Sequence, residues 1–176
     1  MSDDGFEQTP EQLRQFLDFM EEDLENIRRA VEAVEEDDLD VDFLVHSKSE
    51  TVDESVEKKG MEKSRIVKTL VFKAGKDFVA VLCPGDRRVS EEKLEEATGE
   101  EVRMAEPEEV EEATGYTIGG VSPFDLDVKT FVDSAVMQKD IVNSAAGSRV
   151  VGANFKPEEL EKHYRDKKLE VKEVSE

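Results

Sequence analysis

The chain has 176 residues, 37% of them hydrophobic, enough for one domain with a sizeable core. Its net charge is −21, it has one cysteine (Cys83), and it contains no apolar run long enough to cross a bilayer. These features exclude an internal disulfide framework, a helical membrane anchor and an overall basic nucleic-acid surface, and they lead us to expect a reducing, cytoplasmic setting.

The first 42 residues hold 16 acidic and 3 basic side chains. Within them TPEQ at 9–12 reads as a capping box, with Thr9 as N-cap, Pro10 at the first helical position and Gln12 closing it. Behind it Leu13, Leu17, Met20, Leu24, Ile27, Val31 and Val34 alternate spacings of four and three, a heptad seam. The spacing predicts an amphipathic helix packed on its own domain, with a dimerising coiled coil as the alternative. Residues 35–42, EEDDLDVD, read as an acidic connection.

From residue 43 the texture becomes mixed α/β. Residues 50–61 read as a short helix ending near Gly60. Strands are expected at 65–73 and 77–82, joined by a hairpin at KAGK, with CPGDRR making the next turn. Ser90 caps a helix that Gly99 stops, and Pro107 opens another that Gly115 stops. EEATG stands at both 95–99 and 111–115, which two similar helix ends explain without a repeat fold. Residues 90–112 form the second acidic segment, with 11 acidic and 2 basic residues, and the chain outside the two segments is balanced, 18 to 19. Acidity confined to solvated helices suits a salt-rich cytoplasm, where screening weakens self-repulsion, and leaves room for a local basic patch facing a polyanion. Residues 115–126 are a glycine- and proline-rich loop. Strands at 129–133, 141–145 and 149–152, a helix at 156–168 and a last strand at 169–174 complete the chain. Short strands interleaved with short helices predict a mixed sheet, not regular βαβ winding.

Two stretches could carry chemistry. Ile66, Val67, Leu70, Val71 and Phe72 suit a strand apolar on both faces, yet Lys68 shares a face with Ile66, Leu70 and Phe72. Burying an unpaired ammonium is expensive. Lys68 is therefore either an edge-strand guard against neighbouring chains or a compact cation facing a cleft, suited to a phosphate or a polarised carbonyl. The second stretch is GGVSP at 119–123. Two glycines let the backbone approach a ligand, and consecutive amides can point at an oxyanion, although a plain surface turn also fits. The spacing is not that of a phosphate-binding P-loop.

Weaker candidates surround these. Asp133 ends an apolar strand, where site residues and turn starters both occur. Arg87 and Arg88 stand at a turn, free to meet a phosphate or water. Cys83 follows a buried strand and reads as core, and His163 on a charged helix reads as solvated. His46 lies near a flexible junction, with no convincing serine–histidine–acid order around it.

The order of these pieces resembles one family. HSKSETVDESVEKKGM, RIVKTLVFKAGKDFVAVLCPGDRRVSEEKLEEATG, MAEPEEVEEATGYTIGGVSPF, FVDSAV and AAGSRVVG run as in the YbaK / prolyl-tRNA-synthetase-associated editing domains, the trans-editing aminoacyl-tRNA deacylases. The similarity spans roughly residues 43–165 and leaves out the acidic helix. It implies an α/β fold: a single editing domain at 43–176 around a mixed sheet, with residues 1–42 as an added helix and linker. It implies hydrolysis of the ester joining a wrong amino acid to tRNA, most plainly tRNA-Pro carrying alanine or cysteine, with no metal or organic cofactor. Lys68 becomes the family's strand lysine, with Thr69 beside it. Gly119, Gly120, Val121, Ser122 and Pro123 become the family's G-x-x-x-P loop, Asp133 the aspartate after the next strand, and Gly147 the glycine of the small turn before the last core strand. The resemblance casts Lys68, Gly119, Gly120 and Ser122 as catalytic, and Thr69, Arg87, Arg88, Val121, Pro123, Asp133 and Gly147 as substrate-binding. The turn SAAGSRVVG is less basic than is usual in that family. Partners are then the 3′ end of a mischarged tRNA and a prolyl-tRNA synthetase. The alternative is a binding module that holds aminoacyl-tRNA or a free amino acid without turnover.

Overall fold

The computed structural model describes residues 9–45, 61–165 and 168–176. Residues 50–60 of the helix expected at 50–61, and His46, lie outside the described residues.

The strands divide into two sheets. Strands β1 (Val41–Val45), β6 (Val142–Ser148) and β7 (Val151–Phe155) form an antiparallel sheet ordered β1-β7-β6. Strands β2 (Val67–Ala74), β3 (Asp77–Pro84), β4 (Val102–Met104), β5 (Lys129–Asp133) and β8 (Leu169–Lys172) form a mixed sheet ordered β4-β2-β3-β5-β8, in which β5 runs parallel to both neighbours. A single bridge between Ile66 and Asn143 links the two sheets. The helices are α1 (Pro10–Glu36), α2 (Glu91–Thr98), α3 (Pro107–Thr114), α4 (Ser134–Met137) and α5 (Glu158–Tyr164). The expected mixed sheet is present, and β1, β4 and α4 are additions that local pattern did not announce.

Local chemistry explains most boundaries. Gly75 turns the β2–β3 hairpin at positive φ, pairing Ala74 with Asp77. The Ser90 side chain accepts the amide of Lys93, and Gly99 and Gly115 end α2 and α3 in the left-handed conformation. The alternation of β2 then decides the core. Val67 and Val71 join Leu82, Phe124, Val132, Phe155 and Leu160 in one apolar cluster. Leu70 and Phe72 face the other, with Val81, Leu94, Phe131 and Val174. The main sheet is covered on both faces, as a near-continuous apolar strand requires.

Helix α1 packs on its domain through a face that takes in only the C-terminal end of the heptad seam, with Val34 buried and Ile27 packed against the core. Thr9 and Gln12 close the capping box as expected. The buried stripe is Asp23, Asn26, Ala30, Ala33 and Val34, and it lies against β6, while Leu13, Leu17 and Leu24 are each about half exposed. The reason is steric. Gly147 in β6 has φ +89, and a Cβ there would collide with the backbone of Asn26 and Ile27. Backbone-to-backbone approach of that kind needs small residues on the helix, so the alanines face inward and the leucines are left outside. The connection after α1 is short, and β1 straddles the expected boundary at 42/43, pairing along its whole length with β7.

Candidate functional site

The residues singled out in the sequence gather in two groups. The first lies at the Lys68 end of the β2–β3 hairpin. Lys68 sits opposite Cys83, half-buried, and its Nζ donates to the carbonyl of Arg87 at 2.7 Å. Its other two N–H bonds meet no acceptor among the described residues. β4 pairs with β2 only from Phe72 to Ala74, so it does not reach Lys68. The ammonium is held over the GDRR turn, whose Arg87 and Arg88 side chains are exposed. Beside it the Thr69 hydroxyl is buried without a partner among the described residues, an arrangement rare enough in folded proteins to mark a position.

Asp133 lies beneath this group and is fully buried. One carboxylate oxygen accepts the amide of Ala135 at the start of α4, and the other accepts Val174 at 3.0 Å and Ser175 at 2.9 Å. Its visible work is to fasten the last residues of the chain under the site. Arg88 and Glu176 exchange two backbone hydrogen bonds, and Val89 bridges Ser175, so the turn and the chain end are tied together. Cys83 is fully buried, and burial pushes its thiol up to about 11 against the pull of the Lys68 charge. It is core, as the sequence suggested, and not a thiolate nucleophile.

The second group is the loop 117–123. The Gly120 amide donates to Thr117, and the Gly120 carbonyl accepts the amide of Gly147 at 3.0 Å. Gly120 is thereby committed to closing the turn and docking it on β6. The amides of Gly119, Val121 and Ser122 have no acceptor among the described residues, although Val121 and Ser122 are only 4% and 1% exposed. Buried, unpaired N–H groups are rare. The Ser122 hydroxyl accepts the Phe124 amide at 3.2 Å, which makes it a turn element. Pro123 gives its carbonyl to Tyr164 at 2.6 Å.

Two residues missed in the sequence hold this loop. Arg149 donates to the carbonyl of Ile118 at 3.1 Å, and its guanidinium fills the space where a Cβ on Gly119 would stand. Its only sequence signal was proximity to Gly147. Arg29 on α1 reaches the loop's two ends. His163 also departs from expectation. It is not solvated: Nε2 accepts the Asp125 amide at 2.9 Å, so Nδ1 carries the proton toward Asp37 at 2.7 Å, and the ring packs edge-on against Phe124 and Tyr164. A charged helix told only of its outer face.

A cleft of about 690 Å³ lies at the opposite end of the hairpin, lined by Ala74, Phe78, Thr98 and Phe131 among others. Six strand residues, roughly 20 Å, separate it from Lys68. Among the described residues no three His, Cys, Asp or Glu side chains could hold a metal ion together, and no helix is long and apolar enough to cross a membrane.

Comparison with known proteins assigns the fold. Residues 46–162 match the aminoacyl-tRNA editing domain, and the chain belongs to that family. The uncharacterized protein YwhH of Bacillus subtilis is 34% identical over 115 residues, spanning 64% of this chain and 73% of that protein. The proline–tRNA ligase of Caldicellulosiruptor bescii is 34% identical over 105 residues, 59% of this chain but only 17% of the ligase. The solved structure of a candidate trans-editing enzyme for prolyl tRNA synthetase superposes with a TM-score of 0.74 at 30% identity, covering 86% of this chain and 97% of that one.

Proposed function

We propose that the chain hydrolyses the ester of mischarged aminoacyl-tRNA, acting in trans on tRNA-Pro that carries a small wrong amino acid such as alanine or cysteine. The observation that carries this reading is the row of amides at Gly119, Val121 and Ser122 that meet no acceptor among the described residues, on a loop pinned at both ends. An aminoacyl ester is already activated, so the work required is to hold it and to stabilise the oxyanion that develops on its carbonyl oxygen. Water adds to the carbonyl carbon, the bond to the ribose oxygen breaks, and that oxygen leaves with a proton as a free hydroxyl. No protein nucleophile is needed, in keeping with a buried thiol at Cys83 and a turn-bound hydroxyl at Ser122.

In this reading the loop amides are the oxyanion donors and Lys68 meets the ester or the terminal phosphate. Arg87, Arg88 and Arg149 offer cations to the tRNA end, Asp133 braces the floor, and Thr69 is left a hydroxyl for the substrate. The solved relative named as a trans-editing enzyme and the ligase containing the same domain support both the substrate and an association with prolyl-tRNA synthetase. The test is to incubate the protein with tRNA-Pro charged with alanine, with cysteine or with proline. Ester loss is expected from the first two and not from the third. Tight binding of all three without ester loss would instead identify a binding module.

A further inference from the structure

Arg29 stands on α1, outside the matched family segment, yet its guanidinium bonds to both ends of the candidate loop. Its Nη1 donates to the carbonyl of Thr114 at 2.6 Å, its Nη2 to the carbonyl of Asp125 at 2.7 Å, and its Nε to the Asp125 carboxylate. The guanidinium carbon lies 4.3 Å from the centroid of the Tyr116 ring, which is fully buried. Thr114 and Asp125 are the two ends of the segment that carries GGVSP. One planar cation therefore spans the mouth of the loop and fixes the distance between its ends.

The same helix holds the loop's other support. The backbone of Asn26 rests on Gly147, whose amide donates to Gly120, and the Asp23 carboxylate accepts the hydroxyl of Ser148. Asp23 is 1% exposed and Ser148 equally so. Three successive inward turns of α1 thus touch Ser148, the Gly147 that docks Gly120, and both ends of the loop.

We infer that Arg29 is a positioning residue for the editing site, and that the acidic helix is a brace that sets the direction of the loop amides. The inference rests on the deacylase reading. Fixing the ends of a loop removes conformations in which its amides point elsewhere, and small displacements of a catalytic group cost large factors in rate. Lysine should not restore the role of Arg29, because a compact ammonium lacks the planar fork that meets separated oxygens in its plane while its face stacks on a ring.

The test compares the full chain with Arg29→Ala, Arg29→Lys and Asp125→Asn, using Arg28→Ala as control because Arg28, among the described residues, pairs only with exposed Glu25. Hydrogen exchange is followed at the amides of 117–122 and at the β2–β3 hairpin. Faster exchange confined to the loop is expected in the first three variants and not in the control. In single-turnover deacylation of alanyl-tRNA-Pro, the first-order rate at saturating enzyme should fall on the order of 10- to 100-fold, with tRNA affinity changed by less than about twofold. Added methylguanidine should restore part of the rate to Arg29→Ala alone. Loop exchange that matches wild type, or exchange that rises equally across the whole chain, overturns the inference. An inert wild type would overturn the deacylase reading and leave the exchange comparison to decide the bracing role by itself.

Discussion

A lysine and a cysteine face each other across β2 and β3, and each constrains what the other can do. Among the described residues the Lys68 ammonium has one partner, a backbone carbonyl, which leaves two N–H bonds for a ligand. Lys68→Ala should slow deacylation by ~100- to 1000-fold, the usual loss for one oxyanion donor. Lys68→Arg should not restore the rate, since a planar fork does not reproduce a point charge. A thermal melt should show the fold unharmed, because a half-desolvated charge is replaced by an apolar group. Full activity in Lys68→Ala would return this residue to guarding a strand edge. Cys83 gives a pH prediction. Burial raises its pKa from 9.0 to about 11, so between those values the native state keeps a proton that the unfolded chain has lost. The stability due to this thiol is therefore complete below about pH 9 and disappears as pH rises through about 11. Denaturation across that interval should show a steeper alkaline loss for wild type than for Cys83→Ala; parallel curves would remove the thiol from the account.

Among the elements, α1 separates what local pattern can tell from what it cannot. Its start was legible to the residue, because a capping box acts between neighbours. Its buried stripe was not, because the choice of Ala30 and Ala33 over Leu13 and Leu17 depends on a glycine more than a hundred positions away. Arg29 was hidden for the same reason: its partners Thr114 and Asp125 are 85 and 96 residues distant. The hairpin, the glycine-stopped helices and the strand that begins at Lys129 were readable, since turn and cap chemistry is local. The four-residue α4 was not, because only the Asp133 carboxylate accepting the amide of Ala135 starts it. Of the site, Lys68 and GGVSP stood out as exceptions to their surroundings. Their supports Arg149 and His163 looked like ordinary surface charge. The packing yields a paired prediction. Ala30→Leu should destabilise by about 1–3 kcal/mol through overpacking against β6, while Leu13→Gln with Leu17→Gln should stay within about 0.5 kcal/mol. Equal losses in chemical denaturation would mean that the outer seam is covered in solution.

For the whole molecule, charge and partner have the same sign. The net −21 is concentrated on α1 and on the α2–α3 stretch, while Lys68, Arg87, Arg88 and Arg149 occupy the balanced remainder. Long-range repulsion should dominate the approach of tRNA at low salt and fade within a Debye length at high salt. Affinity for tRNA, followed by fluorescence anisotropy, should hold or rise toward molar salt, whereas basic nucleic-acid binders lose affinity steeply. A steep loss here would show that the local cations outweigh the global field. The chain end carries one more consequence. Val174 and Ser175 supply two of the three amides on a fully buried carboxylate, and Glu176 pairs with the turn that bears both arginines. Deleting residues 174–176 would touch no ligand-facing group. It would still strip the floor from beneath Lys68 and loosen the arginine turn, disabling the site from behind.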